Sequence, residues 1–426
     1  MLSLLESLPG GRFTQNVVVL AGGTVAGQAV VIAASPILTR LYTPEDFGML
    51  GVYVSLLGLV SVIASLRYEF AIPLPEKDAD AAAIVILSLA ILPVTVTVVG
   101  LVILLFRDPI IAWTNTPGIG PYLWLLPVGM VLMGIYQVFN YWVVRKKVFS
   151  RIARTRFYQG IAAVITQLAL YPCGPLGLLL GQVLGSAAGS GTLASLAVRH
   201  DRHAFQQVNR NALVRMALRY RRFPQVSTLS GIANSGGNVL PVLLLAAFFG
   251  PFVAGQFALV HRVVTWPMNV LGLAVSQVYF GEGVSALRRS PSNLRSLFLG
   301  GSKQLGTVAV LPMLALLLAG PWIFTFLFGS NWESAGQFAR VLAPMMAVQL
   351  VAASLSQTLN ILEHQVWLFA WDAVRLLFTV VSIAGSALFG SSPIMTVAIY
   401  SVAMLLVYVV LYGLQIIGIA RSLRQT

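Results

Sequence analysis

Charge is what this chain has least of. Asp, Glu, Lys and Arg make up 9% of its 426 residues, where a soluble globular domain carries about 25%. A chain that is 58% hydrophobic and this poor in charge cannot cover itself in water, so lipid must be its solvent. Acidic residues are scarcer still, 13 against 27 Lys and Arg. In a soluble protein that excess would point to nucleic acid. In a membrane protein Lys and Arg gathered in cytoplasmic loops account for it, and no nucleic-acid partner is expected. Cysteine is nearly absent: Cys173 stands alone, which excludes a disulfide framework and a cysteine-based metal site. The histidines (His200, His203, His261, His364) form no HExxH, and His200 and His203 read as part of a solvated loop. There is no GK[ST], no G-x-S-x-G and no acidic cluster fit for hydrolysis. No metal, no cofactor and no enzyme activity is expected.

What is present is a series of apolar stretches, each near the roughly 20 residues that span a bilayer. Twelve helices are predicted, at 16–38, 47–68, 81–106, 120–144, 155–172, 175–198, 224–248, 252–280, 303–328, 336–360, 366–389 and 393–419. The first is too long for the apolar region of a signal peptide and reads as a retained signal-anchor helix. Twelve spans put both termini on one side, and Lys and Arg decide which. With the termini cytoplasmic, the opposite loops hold only Arg40 and Arg107, three arginines (Arg262, Arg340, Arg375) fall within spans, and the other 22 of the 27 are cytoplasmic. The basic segment 199–223 is the one connection long and polar enough to join two bundles, which divides the chain into lobes at 1–198 and 224–426. Within it, Asn211 to Tyr220 has helical spacing suited to a membrane surface and its anionic headgroups.

The halves resemble each other. LYTPEDFG carries Pro44 and Gly48, and FFGPFVAG carries Pro251 and Gly255, both pairs displaced by 207 residues. Each sits between the first two long helices of its half. With six helices per half, this is a parallel repeat about an axis along the membrane normal.

Polar residues fall on equivalent helices of the two halves: Asn16, Thr24, Gln28 and Ser35; Gln137, Asn140 and Tyr141; Ser227, Ser230, Asn234 and Asn238; Thr265, Asn269 and Ser276; Gln349, Ser356, Gln357 and Asn360. At membrane depth such groups face protein or a water-filled cavity. Interhelical hydrogen bonding explains any one of them. Facing stripes favour a polar cavity, with Gln28, Gln137, Asn140, Asn234, Asn238, Asn269 and Gln357 as candidate sugar contacts, since amides offer both donors and acceptors. Arg262 lies ten residues into its span, ~15 Å deep, with no acidic residue within a turn. It is a candidate anion ligand, or the partner of a remote carboxylate or helix C-terminus. Arg375 has Asp372 one turn away, an arrangement whose default is a structural ion pair, with coupling as the functional alternative. Arg67 and Glu69 close the second helix at its cytoplasmic end, where they either snorkel to the interface or guard a cavity mouth. Only Asp372 is an acid clearly within a span, which weighs against a carboxylate-driven cation antiporter.

LTRLYTPEDFG and LRYEFAI (Leu38–Gly48, Leu66–Ile72), GQFALVHRVVTWPMNVLGLAVSQVYF (Gly255–Phe280), FGSNWESAGQFARVLAP (Phe328–Pro344) and SLSQTLNILEHQ (Ser354–Gln365) resemble the bacterial polysaccharide flippases, the O-antigen and capsule repeat-unit exporters of the multidrug/oligosaccharidyl-lipid/polysaccharide (MOP) superfamily. The resemblance implies an all-α polytopic membrane protein of about twelve spans, in two six-helix pseudo-symmetric lobes around a central V-shaped cavity. It implies alternating access that carries an undecaprenyl-diphosphate-linked oligosaccharide from the cytoplasmic to the outer leaflet of the bacterial inner membrane. Lipid-linked oligosaccharide and membrane lipids would be its partners, with polysaccharide polymerase and chain-length machinery alongside. Arg262 matches a helix-eight position where related flippases place a cavity arginine, with Arg67 and Arg12 as further candidates for the diphosphate. Those relatives also use arginines on the first helix, where this chain has only Arg12 at the entry. A small-molecule antiporter of the same superfamily is the alternative.

Overall fold

Glycine, proline and tight hydrogen bonds, more than hydrophobicity, decide where the apolar runs turn. The computed structural model describes the backbone of residues 11–195, 197 and 201–424, and the side chains of 22–195, 197, 201–232 and 234–424. The long helices are α1 Gly11–Leu41, α2 Pro44–Ser61, α3 Asp78–Leu105, α4 Leu125–Arg145, α5 Phe149–Ala169, α6 Pro175–Ala187, α7 Arg210–Arg219, α8 Thr228–Val260, α9 Trp266–Arg289, α10 Pro291–Phe328, α11 Glu333–Ser354, α12 Gln365–Val380 and α13 Pro393–Arg424. Among the described residues there is no strand. Nine runs among the described residues are long and apolar enough to cross a membrane. One of them, Phe223–Arg289, is two spans, because Gly250 (φ 80, ψ 178) breaks α8 in a conformation that side chains resist. The helices α2 and α5 lie outside those nine runs, at the places of the second and fifth predicted helices.

The helix starts have local causes. Thr43 and Asp46 cap α2 reciprocally: the Thr43 amide donates to Asp46 Oδ2 at 3.0 Å, and the Asp46 amide to Thr43 Oγ1 at 3.3 Å. Pro44 follows at the first helical position. At α10, Ser290 accepts from the Asn293 amide at 3.3 Å and Pro291 opens the helix. That helix therefore begins twelve residues before the predicted 303. The predicted second helix, 47–68, is cut short. After Ser61 the backbone tightens to bonds three residues apart, from Val62 (to Leu59) through Ile72 (to Glu69). The Thr95 hydroxyl takes up the Ala64 carbonyl at 2.6 Å.

The described chain packs as two compact units: Met1–Tyr42 with Met49–Val239, and Thr43–Gly48 with Leu240–Thr426. In unit 1, α1 lies on α5, where Gly27 and Gly160 let the two backbones meet. A second core gathers Ala81–Val85 of α3, Tyr136 and Trp142 of α4 and Ile152 of α5, and it takes in Ala212 and Met216 of α7. In unit 2, α11 packs between α10 and α13. Gln256 is buried there with both ends satisfied, its Nε2 donating to the Asn331 carbonyl at 2.7 Å and its Oε1 accepting from the Ala335 amide at 2.9 Å. The segment Thr43–Gly48 joins unit 2 because Gly48 and Gly255 lie directly on Pro251 and Pro44. A Cβ on Gly48 would stand 1.9 Å from the Pro251 carbonyl oxygen, and one on Gly255 1.8 Å from that of Pro44. The two Pro–Gly corners singled out by the 207-residue displacement thus pack reciprocally on each other.

Candidate functional site

In unit 1 the chemistry collects where α2 ends. Leu66 (φ 50) and Arg67 (φ 63) both stand in the left-handed region, at a cost of roughly 1–2 kcal/mol per residue. Strain of this kind persists only where packing enforces it, and it concentrates at working sites. It turns Arg67 inward. The guanidinium lies over the Phe70 ring, 4.6 Å from its centroid, and its Nε is buried without a hydrogen-bond partner. Phe70 in turn packs on Tyr141 of α4 at 4.8 Å between centroids. Glu69 is 2% exposed and accepts from the Ser65 hydroxyl instead of forming an ion pair with Arg67. Burial pushes its carboxyl above the ordinary range, with Ser65 and the charge of Arg67 pulling the other way.

A second cation of unit 1 rests on α4. Arg156 of α5 lies over the Tyr136 ring at 5.2 Å and donates to Gln159 Oε1 at 3.4 Å. The hydroxyl of Tyr136 and Oδ1 of Asn140, one helical turn apart on α4, are buried and unpartnered. Leaving a buried polar atom unpaired costs about 1–3 kcal/mol. Arg67 Nε and the Tyr136 hydroxyl suit a ligand's acceptors, and Asn140 Oδ1 suits a hydroxyl donor.

The remaining candidates of unit 1 lie around this cluster or apart from it. Gln137 and Gln28 are half-buried on α4 and α1. Asn234 and Asn238 are exposed on α8, where Asn238 Nδ2 donates to the Asn234 carbonyl at 3.2 Å. Arg12 lies outside the described side chains. Gly231 of α8 leaves room for Arg67, since a Cβ there would fall 2.1 Å from its Nη2. A methyl at 231 displaces only the end of a flexible side chain. We therefore expect Gly231→Ala to keep its fold and wild-type Tm while losing transport, a separation that thermal melting and vesicle flux together would reveal.

In unit 2, Arg262 sits in a π-helical turn, His261–Thr265, that links α8 to α9. Such turns are rare and are found mostly at functional sites. The Arg262 guanidinium lies 5.8 Å from the centroid of Phe47, which meets the buried Trp332 edge-on at 5.0 Å. Asn269 is exposed one turn into α9. Gln357 accepts from Asn360 Nδ2 at 2.8 Å, so part of its hydrogen-bonding capacity is already met. Asp372 and Arg375 form an ion pair at 3.4 Å, and Arg375 lies over Trp371 at 5.4 Å, whose indole N–H donates to the Val407 carbonyl at 2.8 Å.

Sequence reasoning missed Phe70, which the fold brings to Arg67, and the pairing of Arg156 with Tyr136. The Tyr136–Asn140 spacing was a usable signal. Arg156 was hidden among the basic residues assigned to topology.

Residues 37–337 match the family described as polysaccharide biosynthesis protein. The succinoglycan biosynthesis transport protein ExoT of Rhizobium meliloti is 24% identical over 360 residues, covering 84% of this chain and 70% of its own. Among solved structures, the lipid II flippase MurJ in an inward closed conformation aligns with a TM-score of 0.71 at 10% identity, over 95% of this chain and 90% of that one. An inward-facing multidrug resistance transporter of the MOP superfamily aligns at 0.67 and 15%, over 94% and 96%. The chain belongs to the polysaccharide biosynthesis protein family and carries the fold of the MOP superfamily of membrane transporters.

Proposed function

We propose that the protein is a flippase for a lipid-linked oligosaccharide, an undecaprenyl-diphosphate-linked repeat unit, moving it from the cytoplasmic to the outer leaflet by alternating access. The observation that carries this reading is that Arg67 Nε, the Tyr136 hydroxyl and the Asn140 amide oxygen, all in unit 1, are buried without partners. A guanidinium fits phosphate oxygens, and neighbouring amide and phenol groups fit sugar hydroxyls. The family and the succinoglycan transport relative support polysaccharide as the cargo class. The likeness to a lipid II flippase supports a lipid-linked form of it.

On this reading each lobe, 1–198 and 224–426 about the connector 199–223, offers the diphosphate an arginine: Arg67, with Arg12, in the first, and Arg262 in the second. Gln28, Gln137, Asn140, Asn234, Asn238, Asn269 and Gln357 provide sugar contacts that are weak one by one. Glu69 and the Asp372–Arg375 pair are the candidate gate or coupling groups. Both termini lie in the cytoplasm beneath the inner membrane, and polymerase and chain-length machinery receive the product at the outer leaflet. Cargo shifts the conformational balance only by binding one state better than the other. Without a nucleotide-binding motif, net export draws on an ion gradient, the membrane potential or removal of product.

A small-molecule antiporter of the same fold is the second reading, favoured by the multidrug neighbours. It calls for a carboxylate at depth, and neither α1 nor α8 contains Asp or Glu. Purified protein in vesicles, given fluorescent lipid-linked oligosaccharide, decides between them. Transfer of label to the opposite leaflet supports the flippase. Label that stays put, with cation-driven efflux of small dyes, establishes the antiporter.

A further inference from the structure

The connector helix α7 has two distinct faces. Its inner face is docked: Ala212 and Met216 are buried against α3, and Asn209 caps it by accepting from the Ala212 amide at 2.8 Å. Arg215 reaches Asp80 at 3.2 Å. Upstream, Asp201 is held by Lys146 at 2.9 Å and by the Trp142 indole at 3.0 Å. Among the described residues nothing covers the outer face. Val214 and Leu218, one turn apart, are 52% and 63% exposed. They are flanked by exposed Arg210, Arg219, Arg221 and Arg222, none of which is ion-paired among the described residues. Within nine residues of Arg219 the chain enters the span α8, so this face lies at the membrane border.

Two bare aliphatic side chains framed by four unneutralised arginines suit one surface above others: a headgroup layer that is negative outside and apolar just beneath. We propose that the outer face of α7 docks on anionic phospholipid of the cytoplasmic leaflet, and that this contact holds the Arg67 turn in place through Tyr68. The link is direct. The Tyr68 hydroxyl donates to the Ala217 carbonyl at 3.0 Å, and Tyr68 follows the left-handed pair Leu66–Arg67. The site does not depend on what the protein transports. An acidic protein segment is the competing occupant, but it would leave Val214 and Leu218 in water or require a matching apolar stripe of its own.

The test uses the full-length chain with Cys173→Ser, since Cys173 is exposed, and Leu218→Cys carrying an environment-sensitive fluorophore. It is reconstituted in vesicles of phosphatidylcholine alone or mixed equally with phosphatidylglycerol. In the mixed vesicles the label should turn apolar at low salt and return toward water at high salt. Changing Arg219, Arg221 and Arg222 together to Gln should weaken docking on the order of a hundredfold, at about fivefold per basic residue. Amide exchange of Leu66–Ala71 should slow in anionic vesicles for the wild type and lose that dependence in Tyr68→Phe. A label equally wet, or equally buried, in both lipids overturns the docking. Docking without a change in Leu66–Ala71 exchange overturns the link to the turn.

Discussion

Arg262→Ala should abolish headgroup transfer while leaving protein level and monodispersity at wild type. The guanidinium stands in a π turn where α8 passes to α9, 5.8 Å from the Phe47 ring centroid. Phe47 keeps its edge-on contact with Trp332 whatever side chain occupies 262, so the surrounding packing has little reason to fail. Removing one partner of a buried charged contact costs about 2–5 kcal/mol. Even the lower figure cuts flux roughly thirtyfold, close to the floor of a leaflet-transfer assay. Arg262→Lys keeps the charge but loses the planar fork that matches two phosphate oxygens, so it should recover only part of the rate. Wild-type transfer by the alanine variant would remove Arg262 from the anion site. An alanine variant that fails to insert would make it a structural residue.

The same arginine shows how far the sequence could be read. The broad architecture followed from counting apolar runs, because lipid punishes polar backbone and lipid-facing charge severely. The π turn of Arg262 left no trace, since His261–Thr265 contains neither proline nor glycine. The left-handed pair at Leu66 and Arg67 was hidden for the same reason: hydropathy carries a helix through to residue 68, and only the tertiary contacts of Ala64 with Thr95 and Tyr68 with Ala217 show why it ends sooner. The stripe on α4 was legible as amides, but what makes it a candidate site is the absence of partners for Tyr136 and Asn140 and the arrival of Arg156 from α5. Those are facts of three-dimensional neighbourhood, which periodicity along one helix does not encode.

The Pro–Gly corners were legible as a repeat, and the structure turns that pattern into a measurable constraint. Gly48 and Gly255 both lie inside helices, where glycine costs about 1 kcal/mol relative to alanine. Gly48→Ala and Gly255→Ala would therefore stabilise the protein if space allowed. It does not: the new methyl would fall 1.9 Å from the Pro251 carbonyl oxygen in one case and 1.8 Å from that of Pro44 in the other. Both obstacles are backbone, so no rotamer change relieves them, and the helices must part. Overpacking costs about 1–3 kcal/mol and occasionally more, so each variant should melt about 1–3 °C below wild type. Because the contact is reciprocal, a corner already pushed open by one methyl can admit the second, and the double variant should fall short of the sum of the two singles. Gly306→Ala and Gly413→Ala, also within helices but with no atom within 4 Å of the added Cβ, should hold or raise Tm. Six melting curves in detergent, wild type and double variant included, suffice. If the corner variants melt with the two controls, Gly48 and Gly255 are not in contact with the opposite prolines, and the reciprocal corner is wrong.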